Sequence, residues 1–69
     1  MEFRQLEMLL AVVEGGGYTR AGERLHISHS AIHRQVKLLE EEIQEKTLVR
    51  IGRRVEPTEA GRILVNLSR

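Results

Sequence analysis

Two helical periods meet in residues 18–39, which read YTRAGERLHISHSAIHRQVKLL. Ala21 and Leu25, four apart, give a short helix its inner face, and Thr19 is its expected N-cap. His26 and Ile27 leave room only for a tight turn. Ser28 then caps the next helix, with Ile27 at N′ placed to pack on Ile32 at N4 as a hydrophobic staple. In that next helix Ile32, Val36, Leu39 and Ile43 fall within one narrow sector at about 100° per residue, which marks the buried side. Ser30, His33, Arg34 and Lys37 repeat at i, i+3, i+4 and i+7 on the opposite side and carry no acid among them. Glu41 continues this outer stripe one turn further on, so only the first half of the helix suits an anionic partner.

Towards the N-terminus, Leu6, Leu9, Leu10 and Val13 mark one apolar stripe on a first helix. Gly15-Gly16-Gly17 stop it and leave the flanking helices free to reorient. Towards the C-terminus the helical period ends after Gln44. Leu48–Ile51 and the residues up to Val55 read as a two-stranded ribbon turning at Gly52, with arginines at its tip. Pro57 ends the second strand and Thr58 caps a fourth helix, striped by Ala60, Ile63, Leu64 and Leu67. Two helices joined by a short turn, followed by a ribbon, predict a mainly α winged helix-turn-helix. It has a three-helix core, a two-stranded wing and a C-terminal fourth helix. The expected division is a domain over residues 1–57, with the helix-turn-helix at about 18–37 and the wing at about 48–57, followed by the fourth helix over 58–69.

Composition narrows the function. A chain of 69 residues buries only about 60% of its unfolded surface and has room for one core, not for a deep substrate pocket as well. It contains no Asp, and neither a Ser-His-acid order nor a Gly-rich phosphate loop forms a reaction centre, so an enzyme is not expected. With no cysteine there is no disulfide framework or thiolate metal site, which agrees with a reducing, cytoplasmic setting. No apolar run approaches the roughly 18 residues of a membrane span, and the opening MEFRQLEMLL is too charged for a signal peptide. The formal net charge is only +1, but its distribution is uneven. Residues 24–39 hold Arg24, Arg34, Lys37 and three histidines without an acid, and residues 46–55 hold Lys46, Arg50, Arg53 and Arg54 without one. Glu40, Glu41 and Glu42 between them read as solvated partners of nearby bases.

This pattern fits duplex DNA. A major groove about 12 Å wide admits one helix, whose first turns present Ser30, His33 and Arg34 to base edges, and an arginine-tipped ribbon suits the narrow, negative minor groove. The rival reading is a winged-helix protein-interaction module without DNA binding. Against it stands the lack of large apolar or aromatic residues on the outer stripe. His29 and His33 have the i, i+4 spacing of a metal pair, but no third ligand accompanies them, and no metal or cofactor is expected.

Tyr18-Thr19-Arg20-Ala21-Gly22, Ser28-His29-Ser30-Ala31, Arg34-Gln35, Glu40-Glu41-Glu42 and Thr58-Glu59-Ala60-Gly61 together resemble the N-terminal DNA-binding domain of LysR-type transcriptional regulators. The resemblance spans nearly the whole chain. It implies base reading by His29, Ser30, His33 and Arg34, with Thr19, Ser28, Lys37, Arg50, Arg53 and Arg54 on the DNA backbone or in the minor groove. It also implies that residues 58–69 are the start of a dimerising linker helix, with a homodimer through Ile63, Leu64 and Leu67, and a co-inducer bound by an effector domain that these residues do not contain. The family pattern has glutamine, proline and serine at positions 29, 30 and 33, so its operator rules need not transfer. At position 22 glycine replaces alanine, a change that weakens a helix by roughly 1 kcal/mol unless close packing requires it.

Overall fold

The computed structural model describes residues 1–69 as α1 (Phe3–Gly15), α2 (Tyr18–Leu25), α3 (His29–Ile43), β1 (Leu48–Ile51), β2 (Arg54–Pro57) and α4 (Glu59–Ser68). Each boundary has a local cause. At the start of α1 the Glu2 N–H donates to Gln5 Oε1 at 3.0 Å. At its end Gly16 takes the left-handed conformation, φ 77°, and its N–H bonds to the carbonyls of Val12 and Val13. The tight turn after α2 rests on His26 in the left-handed region, φ 57°. Ser28 caps α3 as expected, its Oγ accepting from the Ala31 N–H at 3.2 Å. The expected cap of α2 is corrected: Gly17 occupies the N-cap and supplies no side chain, while Thr19 lies inside the helix. Gly22 carries no Cβ because one there would stand 2.8 Å from the Ile27 carbonyl oxygen, which settles why glycine suits this turn.

The core has two parts, and α1 lies between them. Met8, Ala11 and Val12 pack with Ala21, Ile32, Val36 and Val55, while Leu9 packs with Leu39, Leu64 and Val65. The leucine stripe read from the sequence is the second of these faces, with Leu6, Leu10 and Val13 half-buried at its margin. The other face, Met8-Ala11-Val12, joins α1 to the helix-turn-helix. The predicted inner side of α3 is found as expected: Ile32, Val36 and Leu39 are buried and Ile43 packs at the edge of the second cluster.

The wing is an antiparallel pair with Arg50 opposite Val55 and Ile51 opposite Arg54. Gly52 turns it at φ 63°, a left-handed first loop position that glycine supplies without strain. Val55 points into the first cluster, and its N–H donates to the Gly16 carbonyl at 3.1 Å. The glycine run is therefore held by the wing and is not the free hinge that its composition suggests.

A second correction concerns Glu40, which is buried rather than solvated. Its Oε2 accepts from both the N–H (2.7 Å) and the hydroxyl (2.9 Å) of the fully buried Thr47. The Thr47 carbonyl accepts from the Thr58 N–H at 3.0 Å. Thr58 Oγ1 donates to the Lys46 carbonyl at 2.6 Å and accepts from the Gly61 N–H at 3.1 Å, capping α4. This chain of bonds fixes the end of α3, the foot of the wing and the start of α4 in one unit. Gly61 completes it, since a Cβ there would overlap the Thr47 carbonyl oxygen.

Candidate nucleic-acid interface

The outer stripe of α3 is free. His29, Ser30, His33, Arg34 and Lys37 are all exposed, on the side opposite Ile32, Val36 and Leu39. Ser28 spends only an oxygen lone pair on its cap and keeps its O–H to donate, with the Ser30 hydroxyl 3.5 Å away. Ion pairing sorts the basic residues further. Lys37 Nζ lies 3.9 Å from Glu40, and Arg54 Nε lies 3.8 Å from Glu56 with its guanidinium turned against Gly16. Arg20, Arg34, Arg50 and Arg53 enter none of the ion pairs of the chain. A free guanidinium needs no carboxylate to be displaced before it meets a phosphate.

Three of these four arginines converge. Arg20, Arg50 and Arg53, with Thr19, His29 and the glycine run, line one cleft between the start of α2, the start of α3 and the wing, and no acid borders it. The structure thus brings Thr19, His29, Arg50 and Arg53 together and sets Arg34 and Lys37 further along α3. Arg20 was not singled out from the sequence because it lies outside both acid-free runs, three residues before Glu23.

Tyr18 was also missed. Its ring stacks on His29, centroids 5.2 Å apart and planes 16° from parallel, and meets His33 at 5.4 Å with a tilt of 58°. Partial burial raises the Tyr18 hydroxyl pKa above 10.0, the Glu40 charge adds to the effect, and Arg50 opposes it. The hydroxyl therefore stays protonated throughout the neutral range.

The far side of the domain carries the apolar residues expected to pair. Ile63 is 56% and Leu67 74% exposed on α4, but Leu64 is buried against Leu9 and Leu39. Within the single chain Leu64 is therefore a core residue, because α4 turns its Gly61-Leu64-Val65 side inwards and leaves Ile63 and Leu67 as its uncovered apolar pair. Phe3, 74% exposed on α1, is a further uncovered apolar residue that the sequence did not single out. Between these elements Glu14 receives Arg24 at 2.6 Å and Arg69 at 3.6 Å. The Arg24 hydrogen bond is the main cause holding its carboxyl below the ordinary value, against a smaller opposing effect of desolvation.

A helix-turn-helix whose second helix shows a basic, acid-free front, flanked by an arginine-bearing wing, defines a regulatory domain of the winged helix-turn-helix class. The family described as "Bacterial regulatory helix-turn-helix protein, lysR family" matches residues 3–62, and the chain belongs to it. This is a class of transcription regulators and not of enzymes. The chain is 42% identical over 69 residues to the HTH-type transcriptional regulator TfdT of Cupriavidus pinatubonensis, covering 100% of itself and 30% of that protein. It is 44% identical over 69 residues to the RuBisCO operon transcriptional regulator of Allochromatium vinosum, covering 100% of itself and 23% of that protein. It spans less than half the length of these curated relatives. Among solved structures it resembles the BenM_DBD/catB site 1 DNA complex, with a TM-score of 0.93 and 35% identity over 99% of this chain and 76% of that one. The CbnR_DBD–DNA complex gives a TM-score of 0.91 and 40% identity over 99% and 78%. No helix of the chain is long and apolar enough to cross a membrane.

Proposed function

We infer that this domain binds duplex DNA sequence-specifically and is the DNA-reading part of a transcription regulator. The observation that carries this reading is the acid-free front formed by the first half of the outer stripe of α3, His29 to Lys37, and the cleft of unpaired arginines beside it. An α-helix with its side chains is about 10–12 Å across and fits a major groove about 12 Å wide. Arg34 offers a planar fork to guanine O6 and N7, while His29, Ser30 and His33 offer single donors and acceptors to neighbouring bases. Thr19, Ser28, Lys37 and Arg50 serve the phosphates, and Arg53 and Arg54 bring the wing to the backbone or minor groove. Arg20 joins the phosphate contacts, because it lines the same cleft.

Residues 1–57 act as the DNA-binding unit and 58–69 begin a linker helix, through which two copies pair using Ile63 and Leu67. Two-fold pairing sets two copies of α3 on half-sites about one helical turn, 34–36 Å, or a multiple of it apart. The setting is cytoplasmic, and any small-molecule co-inducer acts on an effector domain outside these residues. Selection of bound sequences from a randomised duplex pool tests the reading. Enrichment of one motif repeated with dyad symmetry is expected; a pool that binds but never narrows would contradict it.

A further inference from the structure

We propose that Tyr18 is a specificity-determining positioning residue, which acts on base choice through His29 and His33 by holding both imidazoles in one aromatic cluster. The proposal rests on the DNA reading above and concerns how two of its base-facing residues are kept in place.

His29 opens α3 and His33 follows one turn later, so both stand on the same edge of the helix, and both are exposed. An exposed imidazole on a helix surface ordinarily changes rotamer freely, and its donor and acceptor edges are then averaged over several directions. Here one ring meets both. Tyr18 belongs to a different helix, is half-buried, and packs on the first core cluster. The separations of 5.2 and 5.4 Å lie within the roughly 4.5–7 Å range of favourable aromatic pairs. The wing closes the other side, since Leu48, Val49, Arg50 and Val55 line the same hollow as the three rings. Groups that read bases discriminate well only when their own orientation is fixed before binding, because ordering them at the interface weakens the correct and incorrect complexes alike. Tyr18 provides that order from within the fold, without having to touch a base.

The test has one arm without DNA and one with it. In NMR spectra of the free domain, the Tyr18 ring protons should give cross-relaxation to the ring protons of both His29 and His33, and both imidazole signals should shift in Tyr18→Leu. In the DNA arm, the ratio of affinity for the selected duplex to that for random duplex is measured for the parent, Tyr18→Phe and Tyr18→Leu. The same substitutions are then made in the His29→Gln, His33→Ser background. Tyr18→Phe should keep the parent ratio, because the ring remains. Tyr18→Leu should lower the ratio about tenfold with little change on random duplex, and should have no further effect in the histidine-free background. Equal weakening on both duplexes, or the same fall in the histidine-free background, would overturn the proposal while leaving the DNA reading intact. A parent that does not distinguish the two duplexes would remove both. If Tyr18→Leu does not fold, the parent spectrum decides, and absent cross-relaxation to either imidazole overturns the proposal.

Discussion

Replacing Gly61 by alanine places a methyl group where the Thr47 carbonyl oxygen already lies. The carbonyl carbon is 3.0 Å and the Pro57 Cβ 3.3 Å from the same point. In an exposed helix the substitution would stabilise by about 1 kcal/mol, since alanine loses less backbone entropy. Here the Thr47 carbonyl must move, and it is the acceptor for the Thr58 N–H one residue before α4. Losing that bond in a buried place costs about 1–3 kcal/mol, and forced overpacking costs a further 1–3 kcal/mol or so. The net expectation is a destabilisation of roughly 3 kcal/mol, which at about 4–8 °C per kcal/mol lowers the Tm of so small a domain by more than about 10 °C. Urea unfolding followed by far-ultraviolet circular dichroism measures it. Gly17→Ser is the control: a Cβ there meets nothing within 4 Å, the backbone is extended at φ 169°, and serine can supply the missing cap of α2. It should be neutral or stabilising by a few tenths of a kcal/mol, that is, about 0.3. A Gly61→Ala variant within about 0.5 kcal/mol of the parent would refute the argument that the foot of the wing closes on this glycine.

The Arg24 hydrogen bond holds the Glu14 carboxyl below its ordinary value of 4.5, so this contact stabilises the fold above that value and is lost as pH falls through the lower, folded value. Acid unfolding of Glu14→Gln should therefore lack part of the parent's pH dependence below 4.5, and superimposable profiles would count against the contact. Ile63→Glu with Leu67→Glu should abolish concentration-dependent self-association in sedimentation equilibrium without loss of fold, whereas Leu64→Ala should lower stability by about 2–5 kcal/mol as a core deletion. Arg53→Ala should reduce the magnitude of the log-affinity against log-salt slope by about 1. Arg54→Ala should reduce it less, because that guanidinium already faces Glu56; equal changes would mean the ion pair opens on DNA.

Much of this architecture was legible in the chain because α3 contrasts strongly around its circumference. Ile32, Val36 and Leu39 on one side and Ser30, Arg34 and Lys37 on the other admit one orientation only. Where contrast is absent, the pattern failed. Ile63, Leu64 and Val65 are three apolar residues in succession, and only the approach of α4 to Thr47 at Gly61 decides that Leu64 turns inwards. Likewise α1 serves two partners, and its leucines concealed the smaller face of Met8, Ala11 and Val12. Glu40 is one of three consecutive glutamates, and nothing local marks it as the acceptor for Thr47, seven residues away. The exposed basic side of α3 is visible in the sequence as an acid-free run along the chain. The cleft is not, because Tyr18 and Arg20 reach it from α2 through a turn whose angle depends on the left-handed backbone of His26.

Base reading by the exposed side of α3 bears most directly on Arg34. Affinities of the parent and of Arg34→Ala are to be measured at one fixed salt concentration, on the duplex selected from the random pool and on unrelated duplex. The expected loss is about 1–3 kcal/mol on the selected duplex, that is, roughly 5- to 150-fold, with a much smaller loss on unrelated duplex. A loss by the same factor on both would contradict it, and would make Arg34 a phosphate contact and the outer stripe of α3 a positively charged surface without a code.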